Sequence, residues 1–432
     1  MKNKTINPAL SLLILFAVGI TLGTVALKLP MATTHTITWL DALFTATSAM
    51  TVTGLVVLST AHDFTLIGQL IIITLIQIGG LGIMTFAILV FLVLGKKIGF
   101  KQRLTIQFAL NQTSLTGMVR LIRVLVMYSL LIEGVAALVL TLRFVPLFGW
   151  VKGFYYSAFH AISAFNNAGF ALWDDSLVSF ARDPLIVFTI TTLILLGGLG
   201  FTVLMDLRHF PKRKRLLLHT KLMLVGTVCI TLIAVVLLGL IEYQPGVPLP
   251  SQFYTAYFQA VTARTAGFNS VDMGSLADGS LLVLIVLMFI GGGSASTAGG
   301  IKVTTFIIIL CTTFTFLRAR KEVVVFQRTI RNEIVVKALA LTTISMLWVV
   351  VVTFCLTLSE HAPFLTLLFE TVSAFGTVGL SINFTAELSL IGKLLIIATM
   401  MLGKVGPLTL LFSIARAEPA KVGYPHEDIV IG

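Results

Sequence analysis

The residues best placed to do chemistry in this 432-residue chain are glycines. Gly54, Gly169, Gly267 and Gly379 stand in four near-copies of one phrase, "TVTGL", "NNAGF", "RTAGF" and "GTVGL". In register, the copies share an aromatic ten residues before the glycine, at Phe44, Phe159, Tyr257 and Phe369. They also share a bulky apolar residue just after it, at Leu55, Phe170, Phe268 and Leu380. The triplets Val52-Thr53-Gly54, Asn167-Ala168-Gly169, Thr265-Ala266-Gly267 and Thr377-Val378-Gly379 hold no constellation for acid–base or nucleophilic work. What they offer is backbone. Glycine adopts torsions closed to other residues, so each segment can turn its carbonyl oxygens toward a common axis, where they replace the hydration water of an ion. A short helix ending at each segment adds the partial negative charge of its C-terminus, which favours a cation. An anion pore would instead present Arg or Lys rings, or helix N-termini. One such glycine alone reads as a turn or a close helix contact; four in register predict a cation filter.

A second mark follows each filter glycine by 24–28 residues: "GGLG" at Gly79, "GGLG" at Gly197, "GGGS" at Gly291 and "GKVG" at Gly403. The third copy runs on through Gly291, Gly292, Gly293, Ser294, Ala295, Ser296, Thr297, Ala298, Gly299, Gly300 and Lys302. Each glycine there costs about 1 kcal/mol of helix propensity relative to alanine, so the helix should break. Irregular backbone at membrane depth survives only inside protein or along a wet cavity, which places this stretch at the pore just below the filter. In the fourth copy, Lys404 fills the slot of Gly80, Gly198 and Gly292. A lysine at the bilayer centre costs about 2.5–3.5 kcal/mol and tends to line a pathway or find a partner; snorkelling toward the cytoplasm is the alternative. Lys404 is read as an electrostatic barrier that helps hold Gly291 to Gly300 across the pore.

The elements that must position these segments are membrane helices. With 57% hydrophobic residues, 11% charged residues and a mean hydropathy of +1.02, the chain is too apolar for a water-soluble globule. A bilayer core needs about 20 apolar residues per helix. Eight strong apolar spans lie near residues 9–29, 66–95, 121–145, 185–206, 220–242, 280–317, 334–358 and 390–415. Within each pair sits a shorter stretch that should enter the membrane and turn back. The first span is longer than a secretory signal core of about 7–15 residues and is read as a retained helix. The expected fold is an all-α integral membrane protein of four helix–pore helix–helix repeats, with fourfold pseudosymmetry around a central ion pore. The repeats fall at 1–96, 97–210, 211–320 and 321–432, the third carrying the loop 291–302 and the last the C-terminal tail.

Charge orients this arrangement. Lys and Arg concentrate at 96–123, 207–221 and 318–337, while Asp41, Asp174, Asp183, Asp272 and Glu387 lie on the opposite connections. The basic loops and both termini are therefore expected in the cytoplasm. The net charge of +12 is a topology signal with some attraction to membrane lipid, and no nucleic acid is expected as a partner. Cys229, Cys311 and Cys355 lie in apolar runs far from any His, which predicts packed free thiols.

The stretches "DALFTATSAMTVTGL", "FHAISAFNNAGF", "FQAVTARTAGFNS", "GGGSASTAGGIK" and "FETVSAFGTVGL" are the most specific. Together they resemble the membrane subunits of bacterial potassium-uptake systems in the Trk/Ktr/HKT superfamily, within it the Ktr B-type subunits, over essentially the whole chain. The resemblance implies a potassium filter at the backbone of Gly54, Gly169, Gly267 and Gly379, with 291–302 as an intramembrane gating loop. It also implies a homodimer in the bacterial cell membrane, served by a cytosolic ring of RCK-type nucleotide-binding regulatory subunits. Potassium is then the substrate and sodium a candidate coupling or activating ion; ATP, ADP or NAD acts through the partner, and no cofactor is covalently bound. In that superfamily serine at the first filter glycine accompanies sodium permeation, so Gly54 points to potassium. The family more often carries Arg where this chain has Lys404, and lysine lacks arginine's planar fork. A multidentate latch is therefore less expected here.

No phosphate-binding or dinucleotide-binding glycine motif occurs, nor a Gly-x-Ser-x-Gly nucleophile turn, so no enzyme is expected. Nucleotide control falls to a partner, docked on the basic loops and the tail "AEPAKVGYPHEDIVIG". The alternative function is a sodium-coupled symporter with alternating access, which calls for inverted repeats. Each filter segment is shorter than those of TVGYG channels, which predicts fewer ordered ion sites and looser exclusion of sodium or rubidium. Arg264 and Glu370 either pair or meet other groups separately. Asn166 and Asn167 are read as knitting the filter loops together, Glu133 as structure or a dimer contact, and His160 as a satisfied histidine on a pore helix.

Overall fold

The computed structural model describes residues 8–82, 118–294 and 296–406. The first unit comprises α1 (Pro8–Leu27), α2 (Trp39–Thr51) and α3 (Leu66–Leu81). The second comprises α4 (Met118–Phe148), α5 (Trp150–Phe165) and α6 (Pro184–Leu199), continued by α7 (Phe201–Arg213). The third comprises α8 (Leu218–Ile241), α9 (Leu249–Thr262) and α10 (Asp278–Phe289), resumed as α11 (Val303–Leu317). A hairpin of β1 (Val324–Val325) and β2 (Arg328–Thr329) precedes the fourth unit, α12 (Asn332–Ser359), α13 (Phe364–Gly376) and α14 (Leu390–Val405). The hairpin is a small exception to the all-α expectation. Its two turn residues, Phe326 and Gln327, both have positive φ, 49° and 60°, as the tightest two-residue turns require.

Among the described residues, α8, α12 and residues 123–148 of α4 are long and apolar enough to cross a membrane. Their outward faces, including Leu130, Leu232 and Val350, are exposed apolar surface. The inner helices are shorter because a glycine stops them. Gly82, Gly200 and Gly406, the last residues of three of the second marks, have φ of 83°, 94° and 88° and end α3, α6 and α14. At Gly200 the chain turns by 95° into α7, so the expected continuous span 185–206 is in fact two helices. The span 280–317 is broken as expected, between Phe289 and Val303. Starts are set by caps: Thr65 and Ser389 accept from the backbone N–H of Gly68 and Gly392, and Asp183 from those of Leu185 and Ile186, with Pro184 at the first helical turn.

Packing closes the units into a cycle. The core of the first unit receives Phe159, Ala168 and Phe170 from the second, and the core of the second receives Phe258, Ala266 and Phe268 from the third. That of the third receives Phe369, Val378 and Leu380 from the fourth, and that of the fourth receives Phe44 and Leu55 from the first. The bulky residue after each filter glycine is thus an anchor driven into the preceding unit. The cysteines are free among the described residues; Cys229 is exposed on α8 rather than packed as expected. Residues 96–117 of the basic loop 96–123 and the tail 417–432, both expected as docking surface, lie outside the described residues.

Candidate ion pore

The four filter segments share one backbone. Val52, Asn167, Thr265 and Thr377, each two residues before the glycine, are left-handed with φ of 58°, 58°, 82° and 49°. Gly54, Gly169, Gly267 and Gly379 follow at φ of 91°, 69°, 77° and 95°, where a Cβ is strongly disfavoured. Space closes the same positions. A side chain on Gly54 would strike the carbonyl oxygen of Ala168, one on Gly169 that of Ala266, one on Gly267 that of Val378, and one on Gly379 that of Thr53. The contacts run from first unit to second, third, fourth and back to first, so glycines and carbonyls form a closed ring.

Hydroxyls fix each segment to its pore helix. Ser48 and Ser373 Oγ accept from the backbone N–H of Gly54 and Gly379 at 3.0 and 3.1 Å. Ser163 Oγ and Thr262 Oγ1 donate to the carbonyls of Phe170 and Phe268 at 2.8 and 2.9 Å. These residues escaped the sequence reading, although a serine recurs six residues before three of the four glycines. Below the ring, glycine again permits close approach: a side chain on Gly79, Gly197 or Gly403 would strike the carbonyl of Met50, Phe165 or Phe375 at its own pore helix. Gly291 is different, since it abuts the carbonyl of Gly299 within its own loop.

That loop crosses beneath the ring. On one side Gly293 N donates to the Gly198 carbonyl at 2.7 Å, using an oxygen freed where α6 ends. On the other, Gly299 packs on Thr377 and Gly300 on Gly376 of the fourth filter segment. Lys404 Nζ donates to the Thr297 carbonyl at 2.5 Å, so its ammonium points at the loop. Lys302 Nζ donates to the carbonyls of Ala298 and Gly299 at 2.7 and 3.2 Å. The hold that one arginine could supply is divided between two lysines, Lys404 on Thr297 and Lys302 on Ala298 and Gly299. Ser294 and Ser296 belong to the same turn, with Ser296 Oγ donating to the Gly293 carbonyl at 2.7 Å; Ala295 lies outside the described residues.

Comparison with known proteins decides the family, because residues 14–422 match the TrkH family of cation transport proteins. The chain belongs to that family. It is 50% identical over 431 residues to Ktr system potassium uptake protein B of Bacillus subtilis (strain 168), covering 99% of this chain and 97% of that protein. It is 44% identical over 415 residues to the protein of the same name from Vibrio alginolyticus, covering 94% of this chain and 91% of that one. The crystal structure of the potassium transporter TrkH from Vibrio parahaemolyticus shares the fold at a TM-score of 0.74 and 20% identity, covering 96% of this chain and 86% of that one. TrkH-family members are multi-pass membrane transporters and not enzymes.

In this TrkH-family chain the buried polar residues singled out in the sequence, Arg264, Glu370, Asn166, Asn167, Glu133 and His160, each find a partner inside it. Arg264 and Glu370 do not pair. The guanidinium reaches Thr231 and Thr227 of α8 at 3.4 and 3.5 Å, while the carboxylate accepts from Ser381, Ile382 N and Thr385. Asn167 meets the Thr265 hydroxyl at 3.2 Å in either amide orientation, joining the second and third segments. Asn166 Nδ2 donates to Gln77 Oε1 at 2.7 Å and to Glu133 at 3.2 Å. Glu133 also accepts from Gln77 and Ser129, at 3.1 and 2.9 Å, and is 4% exposed, so it serves the interior of the chain. His160 is fully enclosed between Tyr156 O, Leu172 N and the stacked ring of Trp173, as a satisfied histidine should be.

Proposed function

We propose that this chain is the potassium-translocating membrane subunit of a bacterial uptake system. Val52 to Gly54, Asn167 to Gly169, Thr265 to Gly267 and Thr377 to Gly379 form its filter. The observation that carries the reading is the closed ring of glycine-to-carbonyl contacts at positions 54, 169, 267 and 379. Backbone oxygens in such a ring can take over a cation's hydration shell. Potassium as the cargo rests on the names of the relatives and on glycine at position 54.

The loop 291–302 acts as the gate, and Lys302 and Lys404 hold it closed while opposing cation passage by charge. Permeation depends on sodium and on nucleotide bound by a cytosolic partner of RCK type. The chain works as a homodimer in the bacterial cell membrane with both termini in the cytoplasm. A partner is supported by the relatives' description as parts of a Ktr system. Alternating access with sodium is the weaker reading, since four units following one another in the same sense round a ring are not the inverted pair that rocking requires. The test is potassium uptake at low external potassium, in a bacterium lacking its own uptake systems, with the chain expressed beside its partner. Growth rescue by the pair supports the proposal; no potassium-dependent rescue with the protein in the membrane refutes it.

A further inference from the structure

Thr45, His160, Phe258 and Glu370 hold equivalent places on the pore helices, nine residues before the filter glycines. Val57, Leu172, Ser270 and Ile382 hold equivalent places three residues after them. In three units a buried polar side chain of the pore helix reaches across to this second place and ties the two ends of the filter segment together.

In the fourth unit Glu370 Oε1 accepts from Ile382 N at 3.2 Å and from the Ser381 hydroxyl, and Oε2 accepts from Thr385 Oγ1 at 2.7 Å. In the second, His160 Nε2 accepts from Leu172 N at 3.3 Å while Nδ1 bonds the Tyr156 carbonyl at 2.7 Å. That pair of bonds selects the neutral ring with its proton on Nδ1. In the third unit Phe258 cannot bond, and its neighbour Gln259 takes over, donating from Nε2 to Ser270 Oγ at 3.1 Å. Among the described residues the first unit has no such tie: Thr45 is 2% exposed and its hydroxyl finds no partner.

The ties differ in strength. Glu370 is fully buried, and its two carboxyl oxygens take three donors from its segment, Ser381 Oγ, Ile382 N and Thr385 Oγ1. His160 makes neutral bonds in an equally dry site. Gln259 and Ser270 line a cavity of about 610 Å³ between the second and third units, where water can compete for their bond, and Gln259 Oε1 is itself without a partner.

We infer that His160, Gln259 and Glu370 are positioning residues for ion specificity: they brace the second, third and fourth filter segments in graded fashion and leave the first as the compliant side of the ring. The inference rests on reading the ring as the filter. A brace fixes how closely the carbonyls of its segment can follow a smaller ion, so loosening it should cost discrimination before it costs throughput.

The experiment is competitive uptake of potassium, rubidium and sodium by the full chain with its partner in uptake-deficient cells, normalised to protein in the membrane. Glu370→Gln keeps the shape but loses an acceptor, and should lower the potassium-over-sodium ratio by about tenfold. His160→Gln should lower it by about threefold and Gln259→Leu by about twofold, following the weaker bonds. Thr45→Val should leave it unchanged. If Glu370→Gln fails to reach the membrane, Thr385→Val removes one donor from the same tie and should shift the ratio in the same direction. Loss of uptake at an unchanged ratio in Glu370→Gln and Thr385→Val would mean a merely structural role and overturn the inference. So would a shift in Thr45→Val as large as theirs. Gly267→Ala serves as the separate control: normal uptake and ratio there would defeat the filter reading itself, whatever the brace variants do.

Discussion

At the ring, four segments repeat the same two torsions, and each glycine meets the carbonyl of its neighbour in a closed cycle. Just below, one loop from the third unit alone reaches from the second unit to the fourth, fastened by Lys302 and Lys404 and by a carbonyl of α6. The upper level repeats one backbone and differs among its copies only in the side chains that brace it; the lower is asymmetric in the backbone itself and depends on particular side chains. On the proposed filter, choosing an ion takes oxygens on every side at once, which calls for the glycine in all four copies. On the proposed gate, blocking an ion takes a single obstruction, which is compatible with a lysine in one copy where the other three keep a glycine. The second mark supplies close packing at Gly79, Gly197 and Gly403 and a loop contact at Gly291, with a lysine next to Gly403 in the fourth unit.

The contrast predicts how each level should fail. At the ring any single copy should be indispensable: Gly267→Ala adds a Cβ against the Val378 carbonyl at a φ of 77°. A left-handed residue with a side chain costs about 1–2 kcal/mol before any clash, so potassium uptake should fall by well over tenfold. Retained uptake in that variant would break the symmetry argument. At the lower level, loss should increase flux. Deleting three or four residues between Gly291 and Gly300 should raise uptake by about tenfold and blunt its response to the partner, a barrier change of about 1.4 kcal/mol. Unchanged flux would remove the gating role.

Lys404→Ala takes away one bond and one charge while Lys302 still holds two carbonyls, so a rise of only about threefold is expected. The double variant with Lys302→Ala should exceed the product of the single effects, because each lysine covers for the other at the same loop. Strictly multiplicative effects in the flux assay would show that the lysines act independently. The smallest effect is expected at the outer surface, where His62 and Asp174 pair at 2.9 Å with side chains 73% and 59% exposed. His62→Ala should change thermal stability by well under 1 kcal/mol and leave selectivity untouched.

Much of this was legible from residue order, and the limits have physical causes. The repeated phrase could be read because a ring of close backbone contacts depends on glycine torsions, which leave a mark in sequence, and the bulky residues after each glycine could be read because burial demands bulk. The break at 290–302 was visible in the run of glycines. The stop at Gly200 was not, since "GGLG" serves equally well as a helix-packing surface and only its last residue takes a positive φ. The separate fates of Arg264 and Glu370 were equally hidden: their partners lie on α8 and on the loop after the fourth filter, at sequence distances that no periodicity reports. Lys302 stood in the loop's sequence, but its hold on Ala298 and Gly299 depends on the loop folding back on itself.

The most direct test of the central claim, that the cation path runs through the ring of four glycines, is the ratio of potassium to sodium uptake in wild type and Gly54→Ser. The serine Cβ would meet the Ala168 carbonyl at one quadrant of the ring while the other three stay intact. The ring account predicts a protein that still reaches the membrane but whose potassium preference collapses toward sodium. An unchanged ratio with unchanged uptake would place the ion path elsewhere in the molecule.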